Sequence, residues 1–278
     1  MACVSELISY PVKGCAGVSV PAALVTEAGL AHDRTFMVVG EDGVFRTQRS
    51  DPRLALVRPS VGADGGRLTL RAPGAELLAV EVDPAAERIE VRLFGKPLQG
   101  VDQGPGAAAW LSEVLGAPSR LVRVPPEQRR VVDGRTPGVS GYADSSPVHI
   151  LSRSSLDELN RRIAEAGGGP LTMDRFRPNV VVDGWDEPHT EDRVLRAVLG
   201  EAELAYAKPA VRCAVTLVDQ RTGARSGPEP LRTLALYRRA VRDGLSGVMF
   251  GAKFSVVRTG RLAVGDEVGV TAWDADRP

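Results

Sequence analysis

Short apolar runs recur through the first 95 residues, and each is closed by a turn within a few positions. The runs cover residues 3–10, 18–27, 34–39, 53–58, 67–71, 77–82 and 88–94. The turns between them are rich in glycine and aspartate, as at Glu41-Asp42-Gly43. Strands at this short, regular spacing favour a β-barrel or a β-sandwich.

The later residues keep the strand pattern and add three helices. Apolar residues at helical spacing predict helices over 107–115, 155–166 and 231–240, with Ser152 or Ser154 as the cap of the second. Further strands are predicted at 121–124, 147–151, 180–182, 194–199, 203–208, 248–257 and 267–271. Residues 125–141 are rich in Arg, Pro and Gly and read as a long loop between two lobes. The sequence therefore predicts a mostly β chain with peripheral helices, of the α+β class.

Composition excludes several classes of protein. The 278 residues carry 35 basic and 35 acidic side chains, and a net charge of zero argues against a general nucleic-acid binder. Neither a membrane-spanning stretch nor a signal-peptide core is evident. Three cysteines indicate a reducing compartment rather than a disulfide framework. We therefore expect a cytoplasmic protein with no membrane partner, and, since no interaction patch is identifiable in the sequence, a monomer.

Familiar catalytic motifs are missing from the sequence. It has no phosphate-binding loop of the GxxxxGK[ST] type, no GxGxxG, no HExxH and no CxxC pair. The histidines, His32, His149 and His189, are far apart, and each is interpreted as an ordinary surface or core residue.

Cys213 lies in the stretch from Tyr206 to Gln220. Lys208-Pro209 predicts an irregular turn before it, and Val215, Leu217 and Val218 predict a strand after it. A thiol at such a junction, beside Arg212, suits a nucleophile or a metal ligand. The same thiol could instead be a small buried apolar side chain, and this stretch alone favours that interpretation.

Cations and small donors stand beside several predicted turns. They are Lys13-Gly14, Arg34, Ser145-Ser146, Arg177 with Asn179, and Arg212 with Cys213. Singly, each is best explained as a solvated charge or a cap. Together they would suit an anionic, highly functionalised ligand, with a thiolate reaching its reactive atom.

An ordered set of short motifs extends this interpretation across nearly the whole chain. The motifs are YPVKGCAGV from Tyr10, HDR from His32, DPRL from Asp51, Asp144-Ser145-Ser146-Pro147, RFRPNVVV from Arg175, Arg212-Cys213, TLVDQRTG from Thr216, EPLRTL from Glu229, Phe250-Gly251 and VGD from Val264. In this order they resemble the MOSC family, named for the C-terminal domain of molybdenum cofactor sulfurase, and especially its amidoxime reducing members.

The resemblance implies an N-terminal β-barrel lobe over residues 1–120 and a MOSC lobe with a β-barrel core over 121–278, with the molybdenum cofactor between them. Cys213 matches the family's molybdenum ligand, and a thiolate is a soft donor suited to that ion. The positions that match residues holding the pterin and its phosphate are Lys13, Gly14, Arg34, Ser145, Ser146, Arg177, Asn179 and Arg212. Gly14 replaces a serine common in the family, and Lys253 stands in the cofactor site where eukaryotic members carry an aromatic residue.

The activity that the resemblance implies is reduction of small N-hydroxylated compounds, such as amidoximes, hydroxylamines and N-hydroxylated bases. Electrons would come from a separate flavin, iron–sulfur or b-type cytochrome protein, and Asp144 or Asp219 would position a proton or a water molecule. The alternative is a non-catalytic protein that binds the cofactor or carries sulfur as a Cys213 persulfide.

Overall fold

The computed structural model describes residues 1–275 and is predominantly β, which confirms the predicted fold class. The final three residues of the predicted second lobe, 276–278, lie outside the described residues. The strands, in chain order, are β1 Cys3–Ser9, β2 Val12–Lys13, β3 Val18–Ser19, β4 Ala22–Thr26, β5 Gly29–Leu30, β6 Phe36–Val39, β7 Arg58–Val61, β8 Arg67–Arg71, β9 Leu78–Glu81, β10 Arg88–Leu93, β11 Lys96–Asp102, β12 Arg120–Arg123, β13 Val131–Val132, β14 Gly138–Val139, β15 Val148–Ser152, β16 Val180–Asp183, β17 Val194–Leu199, β18 Ala202–Val211, β19 Arg239–Arg242, β20 Leu245–Arg258, β21 Gly260–Ala263 and β22 Val268–Trp273.

Helices pack against strands of these sheets. They are α1 Pro105–Leu115, α2 Arg153–Glu165 and α3 Leu231–Tyr237, with short 3₁₀ turns at Pro52–Leu56, Met173–Arg175, Thr190–Asp192 and Ala214–Leu217. Among residues 1–275, none of these helices has the length and apolar character that a membrane crossing requires.

Two main sheets, each with its own core, build the molecule. The larger has the order β22-β17-β18-β20-β15-β16-β1-β3, and the smaller has the order β10-β11-β12-β6-β2. Tyr206 and Phe254 are fully buried in the core of the larger sheet, whereas Trp110 and Leu111 of α1 pack on the smaller one. In the described residues neither sheet closes into a continuous barrel, and a lone bridge between Cys3 and Glu267 links β1 to the segment before β22.

The chain crosses between the sheets more than once. Strand β1 pairs with β16 of the larger sheet, and β4 pairs with β21, although both belong to the first 30 residues. Strand β12, at the predicted boundary between residues 120 and 121, pairs with β6 and β11 of the smaller sheet. Strand pairing therefore joins the two predicted lobes.

Three local predictions were wrong. Residues 53–58 do not form one strand, because the proline at the start of Pro52–Leu56 favours a 3₁₀ turn. The predicted turn at Lys208-Pro209 is a bulged part of β18, where the register to β20 shifts on both sides. The segment after Cys213 is a 3₁₀ turn, because the amide and hydroxyl of Thr216 both donate to the Cys213 carbonyl, at 3.1 and 3.0 Å.

The N-terminus of α2 carries a buried carboxylate. The Ser152 hydroxyl accepts from the Ser155 amide at 3.2 Å, which makes Ser152 the cap, one of the two predicted serines. The fully buried Glu191 carboxylate accepts from the hydroxyls of Ser152 and Ser155, both at 2.8 Å. Burial, with a smaller contribution from Asp192, raises the pKa of Glu191 to about 7.

We expect Glu191→Gln to flatten the pH dependence of stability. The folded state holds the Glu191 proton more tightly than the unfolded state does, so this group's contribution is fully present below about pH 4.5 and is lost as pH rises through about 7. Glutamine stays neutral and keeps an oxygen that accepts from serine, so at pH 8 the variant should exceed the parent in free energy of unfolding. Urea unfolding between pH 5 and 8 measures this, with exposed Glu41→Gln as the matched control. If the free energy of unfolding changed with pH by the same slope in the parent and in Glu191→Gln, the raised pKa of Glu191 would be contradicted.

Candidate functional site

A cleft lies between the two main sheets, and its lining residues come from both. All but one of the residues predicted from the sequence lie on it. They are Lys13, Gly14, Arg34, Asp144, Ser145, Ser146, Arg177, Asn179, Arg212, Cys213 and Lys253. The structure thus brings together residues from widely separated stretches of the chain, while the role of each stays a prediction.

Asp219 is the predicted residue that does not line this cleft. Its carboxylate accepts from the amides of Arg221 and Thr222 at 2.9 and 3.0 Å and pairs with Arg175 at 3.2 Å. These backbone hydrogen bonds, together with Arg175, lower the pKa of Asp219. The contacts make Asp219 a turn-stabilising residue, so the geometry gives no support to a role in positioning a proton or water.

A buried hydrogen-bond network holds the Arg34 side chain in place. Asp33 accepts from the Arg34 guanidinium, from the Tyr10 amide at 2.8 Å and from the Asn179 side chain at 3.0 Å. The Asn179 oxygen accepts in turn from Arg34 at 2.9 Å. Burial disfavours the charged guanidinium, but Asp33 outweighs it and raises the pKa of Arg34. Arg34 is therefore a permanent, oriented cation.

The Tyr10 ring packs against two arginines of the cleft. The Arg34 guanidinium lies 4.5 Å from the centre of the Tyr10 ring, and that of Arg177 lies 4.3 Å from it. Burial raises the pKa of the Tyr10 phenol, which donates to the Pro178 carbonyl at 3.1 Å. Cation–π attraction to this neutral ring stabilises both guanidinium groups.

A second group of charges lies at the mouth of the cleft. Lys13 donates to Asp144, whose side chain is 55% exposed, and its ammonium lies 5.4 and 5.2 Å from the ring centres of Phe45 and Phe94. Desolvation acts to raise the pKa of Asp144, but Lys13 and Lys253 prevail and lower it, so Asp144 is ionised at neutral pH.

Lys253, on β20, is a further cation of the cleft. Its ammonium donates to the Ser145 hydroxyl at 2.8 Å. Burial lowers the pKa of Lys253 to about 8; Asp144 opposes this shift, whereas Arg212, Arg34 and Lys13 reinforce it. Lys253 is therefore a lysine of this cleft that changes charge just above neutral pH.

Cys213 is exposed, as a reactive thiol must be. It stands at the start of the Ala214–Leu217 turn, with its backbone extended. A guanidinium nitrogen of Arg49 lies 3.7 Å from its sulfur, and Arg212 donates to the Phe176 carbonyl at 2.8 Å. By contrast, Cys15 is fully buried, and burial raises the pKa of its thiol to about 12.

Sequence reasoning missed the loop that carries Arg49. Phe45, Arg46, Thr47, Gln48 and Arg49 all line the cleft, although this stretch reads only as a polar break between strands. Two arginines within an irregular loop that directly follows a buried strand were the available signal.

His149 was also missed, because it was interpreted as an ordinary histidine. It is 6% exposed, lies on β15 and lines the cleft. Its Nδ1 lies 3.4 Å from the Arg177 carbonyl, an arrangement that places the proton on Nδ1. Burial, reinforced by Arg212 and Lys253, lowers the pKa of His149 well below its ordinary value, so the ring is neutral.

Several buried polar atoms of the cleft have no hydrogen-bond partner among residues 1–275. They are Arg46 Nε, Ser146 Oγ, His149 Nε2, Arg177 Nη1 and Arg212 Nε. Buried polar groups in proteins are almost always partnered, so this set points to a polar ligand. The cations suit a phosphate, and the exposed thiol suits a soft metal ion. The cleft therefore fits the molybdenum cofactor that the resemblance implies, which carries both.

Comparison with known families gives two matches along the chain. Residues 1–118 match the MOSC N-terminal beta barrel domain, and residues 137–269 match the MOSC domain. The predicted boundary at residues 120 and 121 lies between these two ranges.

Curated relatives match over almost the full chain. The rat mitochondrial amidoxime reducing component 2 is 36% identical over 95% of this chain and 82% of its own length. The mouse and human mitochondrial amidoxime-reducing component 1 are each 35% identical over 95% of this chain, covering 81% and 82% of their own lengths. The chain therefore belongs to the MOSC-domain family, within the group that contains the mitochondrial amidoxime reducing components.

Proposed function

We propose that this protein is a molybdenum cofactor-dependent oxidoreductase that reduces N-hydroxylated compounds with electrons from a separate redox protein. The observation that carries the proposal is the cleft itself, where an exposed thiol, Cys213, stands at one wall of a cation-lined pocket with unpartnered buried polar atoms. The names of the relatives, which specify amidoxime reduction, support the same reaction class.

Different residues of the cleft suit different parts of the cofactor. Arg34, Arg177 and Arg212 offer guanidinium groups for the phosphate, with Asn179 fixing Arg34 in place. Cys213 offers the sulfur that would ligate the metal, and a guanidinium nitrogen of Arg49 lies 3.7 Å from it. When bound, the cofactor would supply the two-electron reduction and accept the oxygen lost by the substrate.

The reaction consumes two protons and two electrons and releases the hydroxyl oxygen as water. Asp144 is ionised at neutral pH, so it can accept a hydrogen bond from substrate or water but has no proton to donate. Lys253, with a pKa of about 8, holds a proton at Nζ at neutral pH, so it is the one of the two that can donate a proton. We also propose that the protein is located in the cytoplasm and is a monomer.

The test of this proposal is the content of molybdenum and pterin per chain, together with benzamidoxime reduction by chemically reduced viologen. Protein made in a host that synthesises the cofactor should hold close to one molybdenum per chain and reduce benzamidoxime. Protein from a host unable to make the cofactor is the control and should do neither. The alternative function, a sulfur carrier, is favoured by the exposure of Cys213 and its contact with Arg49. Protein without molybdenum but with sulfane sulfur on Cys213 would overturn the reductase in favour of that carrier.

A further inference from the structure

We infer that Arg49 is a further catalytic residue of the cleft, whose guanidinium group binds the oxygen of the substrate's N-hydroxyl group beside Cys213. This inference rests on the proposed function and deepens it, because it names the side chain that meets the oxygen lost in the reaction. Arg49 lies outside the motifs that carry the resemblance.

The first support is the accessible position of this guanidinium beside the exposed thiol. Arg49 and Cys213 both line the cleft, and a guanidinium nitrogen of Arg49 lies 3.7 Å from the sulfur. Cys213 is exposed and Arg49 is half-buried, so a ligand in the cleft can contact both side chains. A ligand atom held at the sulfur therefore lies within reach of an arginine.

The second support is that the Arg49 side chain keeps donors for a ligand, whereas other arginines of the cleft are held by protein oxygens. Arg34 donates to Asp33, and Arg212 donates to the Phe176 carbonyl at 2.8 Å. Within residues 1–275 the Arg49 guanidinium has no carboxylate or carbonyl oxygen as an acceptor, and its side-chain contact is the Cys213 sulfur. A guanidinium has five N–H donors, and it binds negatively charged oxygen strongly.

The third support is that the loop carrying Arg49 is tied to both sides of the cleft. The Gln48 side chain, 1% exposed, donates to the Gly14 carbonyl at 2.7 Å and exchanges hydrogen bonds of 3.0 and 2.9 Å with the Gln220 amide. Arg225 donates to the Arg49 carbonyl. The backbone on which the guanidinium is mounted is therefore fixed before a ligand arrives, and a donor fixed in advance stabilises developing charge most effectively.

The chemistry of the proposed reaction gives this cation a use. The N–O bond breaks, two electrons from the separate redox protein and two protons are consumed, and the oxygen leaves as water. Negative charge develops on that oxygen until its protonation is complete, and a fixed guanidinium stabilises such charge. A metal held by Cys213 would bring the reacting oxygen to this end of the cleft, where Arg49 lies.

The test compares Arg49→Ala and Arg49→Lys with the parent in benzamidoxime reduction by reduced viologen. We expect kcat to fall about 100-fold in Arg49→Ala while KM stays within about threefold of the parent, because the contact strengthens as charge develops. Molybdenum per chain should stay at the parental level. Arg49→Lys keeps the charge without the planar fork, so its kcat should lie between the two. Arg239→Ala is the matched control, since Arg239 is exposed on β19 and does not line the cleft.

Chemical rescue separates a catalytic from a structural role for Arg49. Guanidinium ion, added to Arg49→Ala at a concentration that does not unfold the protein, should enter the open cleft and restore part of kcat. A side chain that only supports the loop would give no such recovery.

A further readout needs no cofactor. In cofactor-free protein carrying Cys3→Ala, Cys213 is the thiol open to reagents, because Cys15 is fully buried. Its rate of reaction with the anionic dithiobis(nitrobenzoate) is divided by its rate with the neutral dithiodipyridine. The ratio should fall about tenfold in Arg49→Ala and stay near the parental value in Arg49→Lys, because the cation attracts the carboxylate of the first reagent.

Several outcomes would overturn this inference alone. They are parental kcat in Arg49→Ala, loss of molybdenum together with kcat, a loss of kcat that guanidinium ion does not relieve, and equal reagent ratios in the parent and Arg49→Ala. A parent that holds molybdenum but reduces no N-hydroxylated compound, or one that never holds molybdenum, overturns the proposed function and this inference with it.

Discussion

Replacing Cys213 by alanine is expected to lower benzamidoxime reduction at least about 100-fold and to strip most of the molybdenum from the purified protein. Loss of groups that merely orient metal ligands already costs about 10- to 100-fold, and loss of the ligand itself should cost more. Cys213 is the exposed cysteine of the chain, and Arg49 approaches its sulfur at 3.7 Å. The sulfur is therefore accessible to a metal ion and lies beside a guanidinium group.

Pterin content should respond less than metal content in Cys213→Ala. The groups proposed to hold the phosphate and the heterocycle, such as Arg34 and Arg177, belong to other segments and do not depend on the thiol. Metal analysis by mass spectrometry and pterin fluorescence on the same sample separate the two effects. Cys213→Ser offers a harder oxygen donor of nearly the same size and should be almost as impaired as alanine.

Cys3→Ala is the matched control, since Cys3 lies half-buried on β1 and does not line the cleft. It should keep the metal and the activity of the parent. Cys213→Ala protein with parental molybdenum and parental reduction would contradict thiolate ligation.

The largest effect on stability is expected from Asp33→Ala, at about 3 kcal/mol in free energy of unfolding. Asp33 is 1% exposed at its side chain and accepts hydrogen bonds from Arg34, Asn179 and the Tyr10 amide. Removing one partner of a buried ion pair leaves the other charge uncompensated, which costs about 3–5 kcal/mol. Because Arg34 is 14% exposed, we take the lower end of that range.

Cofactor retention should fall together with stability in Asp33→Ala. Arg34 loses the carboxylate that orients it, so the proposed phosphate site becomes less ordered. Asp33→Asn keeps the shape but not the charge, and should lie between alanine and the parent in both measurements. Urea unfolding of protein made without the cofactor gives the free energy of unfolding, with exposed Asp186→Ala as the control. A loss below about 1 kcal/mol would show that Arg34 does not need this partner.

Much of the fold followed from local patterns. The strands at 67–71 and 194–199 match their predicted bounds, because alternating or continuous apolar residues between turn residues define strands directly. The helix at 153–165 was predicted almost fully from its serine cap and apolar stripe. The turn after Cys213 was not, since Val215 and Leu217 carry strand-like side chains while the hydrogen bonds of Thr216 decide the backbone.

The cleft could be predicted only through ordered motifs. No local signal brings Lys13 and Lys253 together, because their proximity depends on how β2 and β20 are placed by two different sheets. Residues outside the motifs, His149 and Arg49, were therefore missed. Their side chains are ordinary in sequence and are defined by what surrounds them in space.

The pairing of β1 with β16 has a consequence for how the protein is made. Val4 lies opposite Val182, so β1 leaves the ribosome well before the strand with which it pairs. Long-range pairings of this kind form late and slowly. Until then the nascent chain exposes an unpaired strand edge, which is prone to aggregation. Since Lys13 and Arg34 face Arg177, Arg212 and Lys253 only in the finished structure, the cofactor proposed for this cleft could be held only after all of these segments have been made, and a protein split at the lobe boundary should not load in halves.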